Sequence, residues 1–138
     1  MALQISLIPA GSKLESNADG QAVDVSVSGT RTFLCQLRVS EHIEQESLEV
    51  SIWGSGDGQD FGKKPLLKFP QQFYSGQTKM VLDISLHTEV KFLRAKWELN
   101  RWGRVAPTPM FVVGLELTEV PPMSREVGVT SAVAATRA

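Results

Sequence analysis

Leu93-Arg94-Ala95-Lys96-Trp97-Glu98-Leu99 decides the fold class. Apolar side chains take every second position and charged ones the positions between, as in a strand with one face buried and the other in water. Outward from this segment the same alternation recurs. Leu3, Ile5 and Leu7 carry it up to Pro9 and Gly11, and Val23, Val25 and Val27 up to Gly29. Phe33, Cys35, Leu37 and Val39 form a third run and Leu48, Val50 and Ile52 a fourth. Leu66–Phe69 is a short apolar piece between Pro65 and Pro70, and Met80, Leu82 and Ile84 follow it. Phe111, Val113, Leu115 and Leu117 make the last run, stopped at Pro121-Pro122. Ser12–Gly20 reads as a loop, and one-turn pieces near Glu41–Glu46 and Ser85–Glu89 are the helical candidates. About eight strands with turn residues between them predict an all-β fold, an antiparallel two-sheet jelly-roll-like β-sandwich.

Composition narrows the function classes. The 138 residues, 42% of them hydrophobic, suffice for one domain with one buried core. Fourteen basic against fifteen acidic side chains leave a net charge of −1, which argues against a nucleic-acid binder. No apolar stretch approaches the roughly 20 residues of a membrane span. The single Cys35 has no partner for an internal disulfide. MALQISLIPA at the start lacks the pattern of a secretory leader, so the expected location is the cytoplasm or a particle assembled there. Past Pro122 the composition shifts to Ala, Val, Thr and Ser, which divides the chain into a sandwich over 1–122 and a C-terminal arm over 123–138. Such an arm is ordered only where it docks, on its own body or on a neighbouring copy.

The glycine-rich segment Trp53-Gly54-Ser55-Gly56-Asp57-Gly58-Gln59-Asp60-Phe61-Gly62 invites three readings. A phosphate cradle needs a helix directly after it, whereas Lys63-Lys64-Pro65 and a short strand follow. Asp57 and Asp60 are candidate calcium ligands, but without the dense oxygen alternation and closing Glu of an EF-hand. The third reading is a tight turn, in which Asp-Gly supplies positive φ. Ser55-Gly56-Asp57-Gly58-Gln59-Asp60-Phe61 resembles the S-x-D-G-x-x-aromatic turn of discoidin-type and related galactose-binding-like sandwiches. Val90-Lys91-Phe92-Leu93-Arg94-Ala95 is similar to their aromatic-aliphatic-Arg strand, and Gly114-Leu115-Glu116-Leu117 to their last strand. The cysteines that tie the ends of that family are absent. The resemblance implies a jelly roll used for binding, and carbohydrate as the ligand class.

Catalytic chemistry finds little purchase. His42 and His87 stand in predicted turns, without H-x-x-x-H or C-x-x-C spacing for a metal. Cys35 is in phase with Phe33 and Leu37, so it reads as a core residue rather than a nucleophile. No G-x-S-x-G elbow is present. The chain is therefore expected not to be an enzyme and to need no cofactor. A small hydrolase or isomerase, with His42 or His87 meeting a carboxylate in a pocket, is the weakest alternative.

The aromatics are more informative. Trp97 is in phase with the core set of its strand, whereas Trp53 is out of phase with Leu48, Val50 and Ile52. Trp102 belongs with Arg94, Lys96 and Glu98. Indoles on the polar face of a strand, with Arg nearby, have the composition of protein-interface hot spots. Lys91, Arg94, Lys96, Arg101 and Arg104 gather positive charge around the same strand and its following turn. The expected role is a non-catalytic binding and assembly module that self-associates or docks on a protein partner, as in a phage-like or other multi-copy particle. Carbohydrate binding of the discoidin type is the alternative. In either case the contact residues are Trp53, Asp57, Tyr74, Arg94 and Trp102.

Overall fold

A computed structural model describes residues 3–42, 46–101 and 110–121. Its nine strands are β1 (Gln4–Leu14), β2 (Ala18–Asp19), β3 (Val23–Asp24), β4 (Thr32–His42), β5 (Glu46–Ser55), β6 (Leu67–Lys68), β7 (Gly76–Asp83), β8 (Phe92–Arg101) and β9 (Phe111–Glu119). One sheet has the order β1-β9-β4-β7; the other has β2-β8-β5-β6, with β3 also on β8. The pairing is antiparallel and nested: β1 with β9, β2 and β3 with β8, β4 with β7, β5 with β6. Cross-links β4–β9 and β5–β8 complete the two sheets. This is a jelly roll, a long hairpin whose two arms are wound together into two layers.

Alternation places the core between the layers. Phe33, Cys35, Leu37 and Val39 of β4 and Phe111, Val113, Leu115 and Leu117 of β9 meet Leu48, Val50 and Ile52 of β5 and Leu93 and Ala95 of β8, all buried. Cys35 lies in this layer, and burial pushes its thiol up to about 12, the state of an inert core cysteine. Trp97 is in phase as expected but only partly buried, because its indole reaches the rim and donates to the Ser16 carbonyl at 3.1 Å.

Several boundaries differ from the expectation. β1 does not stop at Pro9; it continues to Leu14, so Ser12–Leu14 is strand where a loop was expected. Register shifts between Ser6 and Ile8 and between Ile8 and Ser12 absorb Pro9, Ala10 and Gly11, with Gly11 at a φ of 84°. An edge strand tolerates a proline at such a bulge. The same shift turns both Leu7 and Ile8 inward. The expected strand through Val27 ends at Asp24, whose Oδ1 accepts the Ser26 N–H at 2.8 Å, an Asx turn that leaves Val27 exposed. Of the helical candidate at Glu41–Glu46, Glu41 and His42 are strand and close β4, and Glu46 opens β5; residues 43–45 lie outside the described residues. At Ser85–Glu89 there are two successive turns, closed by His87 N–H on the Ile84 carbonyl and Val90 N–H on the His87 carbonyl, each at 3.0 Å.

One end of the sandwich is tied by two side chains. Arg31, at a φ of 55°, donates from Nη2 to the carbonyls of His87 at 2.8 Å and Val90 at 2.7 Å, and from Nε to Ile84 at 3.3 Å. Glu119 accepts Ser28 Oγ–H at 2.6 Å, Thr30 N–H at 2.9 Å and Leu3 N–H at 3.0 Å, joining β9 to the start of β1 and the β3–β4 loop. These donors, the Ser28 hydroxyl foremost, hold the Glu119 carboxyl down at about 2, below its ordinary 4.5. A carboxyl lowered by folding stabilises the fold fully above the ordinary value and progressively less as the pH falls through the folded one. Glu119→Gln is therefore expected to be less stable than wild type at neutral pH, and the difference in urea midpoint to shrink between pH 4.5 and about 2. A gap independent of pH would show that the carboxylate's charge is not what these donors stabilise.

Candidate functional site

The register of β5 on β8 sets the outer face of the five-stranded sheet. Trp53 lies opposite Arg94, Ser51 opposite Lys96 and Glu49 opposite Glu98. Opposed residues of antiparallel strands project on one side, so these six side chains share a surface. Lys96 Nζ sits 4.4 Å from the centre of the Trp53 ring, a cation–π contact, and Trp53 Nε1–H donates to Ser51 Oγ at 2.8 Å. Lys68 of β6 pairs with Glu49 at 3.1 Å. Glu49, Ser51, Trp53, Lys68, Lys96 and Glu98, with Lys63 and Pro65 from the β5–β6 connection, line a shallow groove of about 280 Å³.

That connection is built on the glycine-rich segment, which is a turn. Asp57 Oδ1 accepts Gln59 N–H at 2.8 Å, Ser55 Oγ–H at 2.9 Å and Asp60 N–H at 3.0 Å. The Asp60 and Gln59 amides, with the Ser55 hydroxyl, hold the Asp57 carboxyl down at about 2. Asp60 Oδ1 in turn accepts Gly62 N–H at 2.9 Å. Gly58 and Gly62 carry φ values of 80° and 74°, which is why glycine stands at both. Among the described residues there is no group of three or more His, Cys, Asp or Glu side chains placed to hold a metal.

Phe61, at the end of the turn, is buried beneath Arg94, whose Cζ lies 4.1 Å from the ring centre. Arg94 Nη2 also meets Asp19 Oδ2 at 3.4 Å. Arg94 thus fastens both the turn and β2 to β8.

Of the expected contact residues that are described, the structure makes only Trp53 and Arg94 direct neighbours, on one face. Asp57 lies in the turn that follows β5. Tyr74 is elsewhere: Gln72, two residues before it, pairs with Leu48 near the start of β5. Tyr74 is 66% exposed and meets the His42 ring edge-on at 5.7 Å, while His42 Nδ1 and Ser75 Oγ are 3.0 Å apart. Trp102 and the arm over 123–138 lie outside the described residues. His87 is exposed, with Nδ1 3.6 Å from Glu89 Oε2. Sequence reasoning missed Glu49, Lys63 and Lys68 as groove residues. Glu49 is in phase with Trp53 on β5 and was overlooked, whereas Lys63 and Lys68 reach the groove only through the β5–β6 connection and the pairing of β6 with β5, and alternation carries no pairing information.

No family model matches the chain, and no curated protein matches it. Neither comparison supports the discoidin resemblance. Among solved structures, the chain is similar to one in the structure of infectious bursal disease virus, Gx strain, with a TM-score of 0.52 and 10% identity. The match covers 86% of this chain and 32% of the viral one, so the chain spans about a third of the viral chain's length. At that identity the likeness is one of fold: a two-sheet sandwich.

Proposed function

We propose that this chain is a non-catalytic assembly module, a jelly-roll subunit that associates with copies of itself in a multi-copy particle. The observation that carries this reading is that the likeness to a chain of a virus structure extends over 86% of this chain. The use of polar groups agrees with it, since Arg31, Asp57, Arg94 and Glu119 are engaged in holding strands and loops together. Exposed apolar side chains at Val27, Tyr74, Val81 and Leu86 supply surface for contact with other chains. Sedimentation of the full chain over a wide concentration range tests the reading. Species larger than the monomer that grow with concentration are expected; a monomer at the highest attainable concentration overturns it.

The groove beside Trp53 favours a second reading, a carbohydrate-binding module of the kind the discoidin-like turn implies. With Lys96 swung off the Trp53 ring it now covers, the indole offers a flat face for a sugar ring, and Lys68, Lys96 and Glu98 offer polar groups for its hydroxyls. On this reading oligosaccharides change the tryptophan fluorescence and Trp53→Ala abolishes the response. Fluorescence indifferent to every glycan on an array removes it.

A further inference from the structure

We propose that two copies of this chain join through β7, edge to edge and antiparallel, about a two-fold axis at Val81. This rests on the assembly reading and names its contact. β7 ends the four-stranded sheet, and among the described residues no strand pairs along its outer side. The main chain there is aimed outward in a regular way. Ile84 N–H donates to the Arg31 carbonyl at 2.9 Å, and β7 continues in register from Thr32 opposite Asp83 to Val39 opposite Gly76. Alternate residues of an antiparallel pair turn their N–H and C=O to the same neighbour, so Leu82, Met80 and Thr78 bond to β4. Val81, Lys79 and Gln77 therefore direct theirs away from it.

The strand is eight residues long, about 27 Å at the usual rise, and contains no proline. Among the devices that normally blunt an exposed edge, it has one lysine in its span. Leu82 is buried, so Val81 and Lys79 stand on the opposite, solvent face, and Val81 is 46% exposed.

Charge then selects the register. Centred on Val81, the pairing sets Val81 against its counterpart and Lys79 against Asp83 of the second copy, twice by symmetry. All three residues are on the same face and in phase for main-chain bonding. Asp83 also receives the Ser85 N–H on Oδ1 at 2.9 Å, which holds its carboxylate at the strand end. Centred one residue earlier, the pairing sets Lys79 against Val81 and loses both ion pairs. Centred on Lys79, it opposes two lysines, which is destabilising. The resulting contact is self-complementary, as a two-fold interface requires, and makes one continuous sheet of two four-stranded halves.

The test uses the full chain in sedimentation and amide exchange. Wild type is expected to form a reversible dimer, or larger species built on it, with Lys79 and Val81 amides more protected at higher concentration. Val81→Pro removes an N–H that points away from β4 and is expected to weaken association roughly tenfold or more at an unchanged melting temperature. Lys79→Asp and Asp83→Lys each weaken it, and the double exchange restores it, which keeps the proposal testable if the proline variant does not fold. Oligomers unchanged by all these substitutions would overturn the β7 contact and leave the assembly reading standing. Protection of Val81 that ignores concentration would mean that the chain's own residues, or another bound molecule, cover the edge, and would likewise overturn it. A wild-type monomer at every concentration would overturn both.

Discussion

Arg31→Ala is expected to lower the stability of the fold by about 3 kcal/mol, read as a shift of the urea midpoint at constant m-value. The guanidinium donates to the carbonyls of Ile84, His87 and Val90, on a segment whose two successive turns are each closed by a single backbone hydrogen bond. Hydrogen bonds with a charged partner contribute about 1.5–3 kcal/mol each, but these carbonyls regain water when the arginine goes, so their sum overstates the loss. Alanine also keeps the left-handed backbone, since Arg31 has a φ of 55°. Arg31→Gly loses the same three bonds but relieves that strain, and should be about 1 kcal/mol more stable than the alanine variant. Equal midpoints for the two would show that the backbone geometry at this position stores no free energy.

Gly114→Val is the second large effect. A Cβ built on Gly114 lies 2.8 Å from Ala10 Cα and 3.3 Å from Ala10 Cβ, so the obstacle is main chain rather than the movable end of a side chain. Valine adds two further methyl groups to that contact. The bulged segment Pro9–Gly11 must then lift away from β9, at a cost of about 2–3 kcal/mol by the usual penalty for overpacking. The damage should be local at first. Amides of Ser12–Leu14, which pair with β9, are expected to exchange faster than those of β4, and the uncovered β9 should make the variant prone to aggregation. Uniform acceleration across both sheets would mean that β1 and the remaining strands open as a single unit.

Alternation made the two faces of the sandwich legible, and it did so most securely where strands are long and regular. Leu48, Val50, Ile52, Leu93 and Ala95 lie inside as their spacing demands, and Trp53 lies outside for the same reason. The pattern failed where one residue breaks phase. The bulge after Ser6 lets two successive residues, Leu7 and Ile8, face inward, and the Asx turn at Asp24 turns Val27 out of a run whose spacing placed it within. The Ser55–Gly62 turn was readable because Asp-Gly chemistry is local. The groove was not, since Lys68 reaches Glu49 only through the pairing of β6 with β5. Arg31 and Glu119 left no periodic trace. Their partners lie 53 to 59 residues and 89 to 116 residues away, respectively, along the chain.

The nested pairing also imposes an order in time. β5 and β6 are joined by one short connection and can meet early, whereas β1 and β9 come from opposite ends of the described chain and must wait for everything between them. Each outer pair closes a longer loop than the one inside it, and the entropy of that closure is lost before any contact compensates. Refolding from urea should therefore run from the middle of the chain outward, in roughly milliseconds to seconds, with the terminal strands the last to acquire protection.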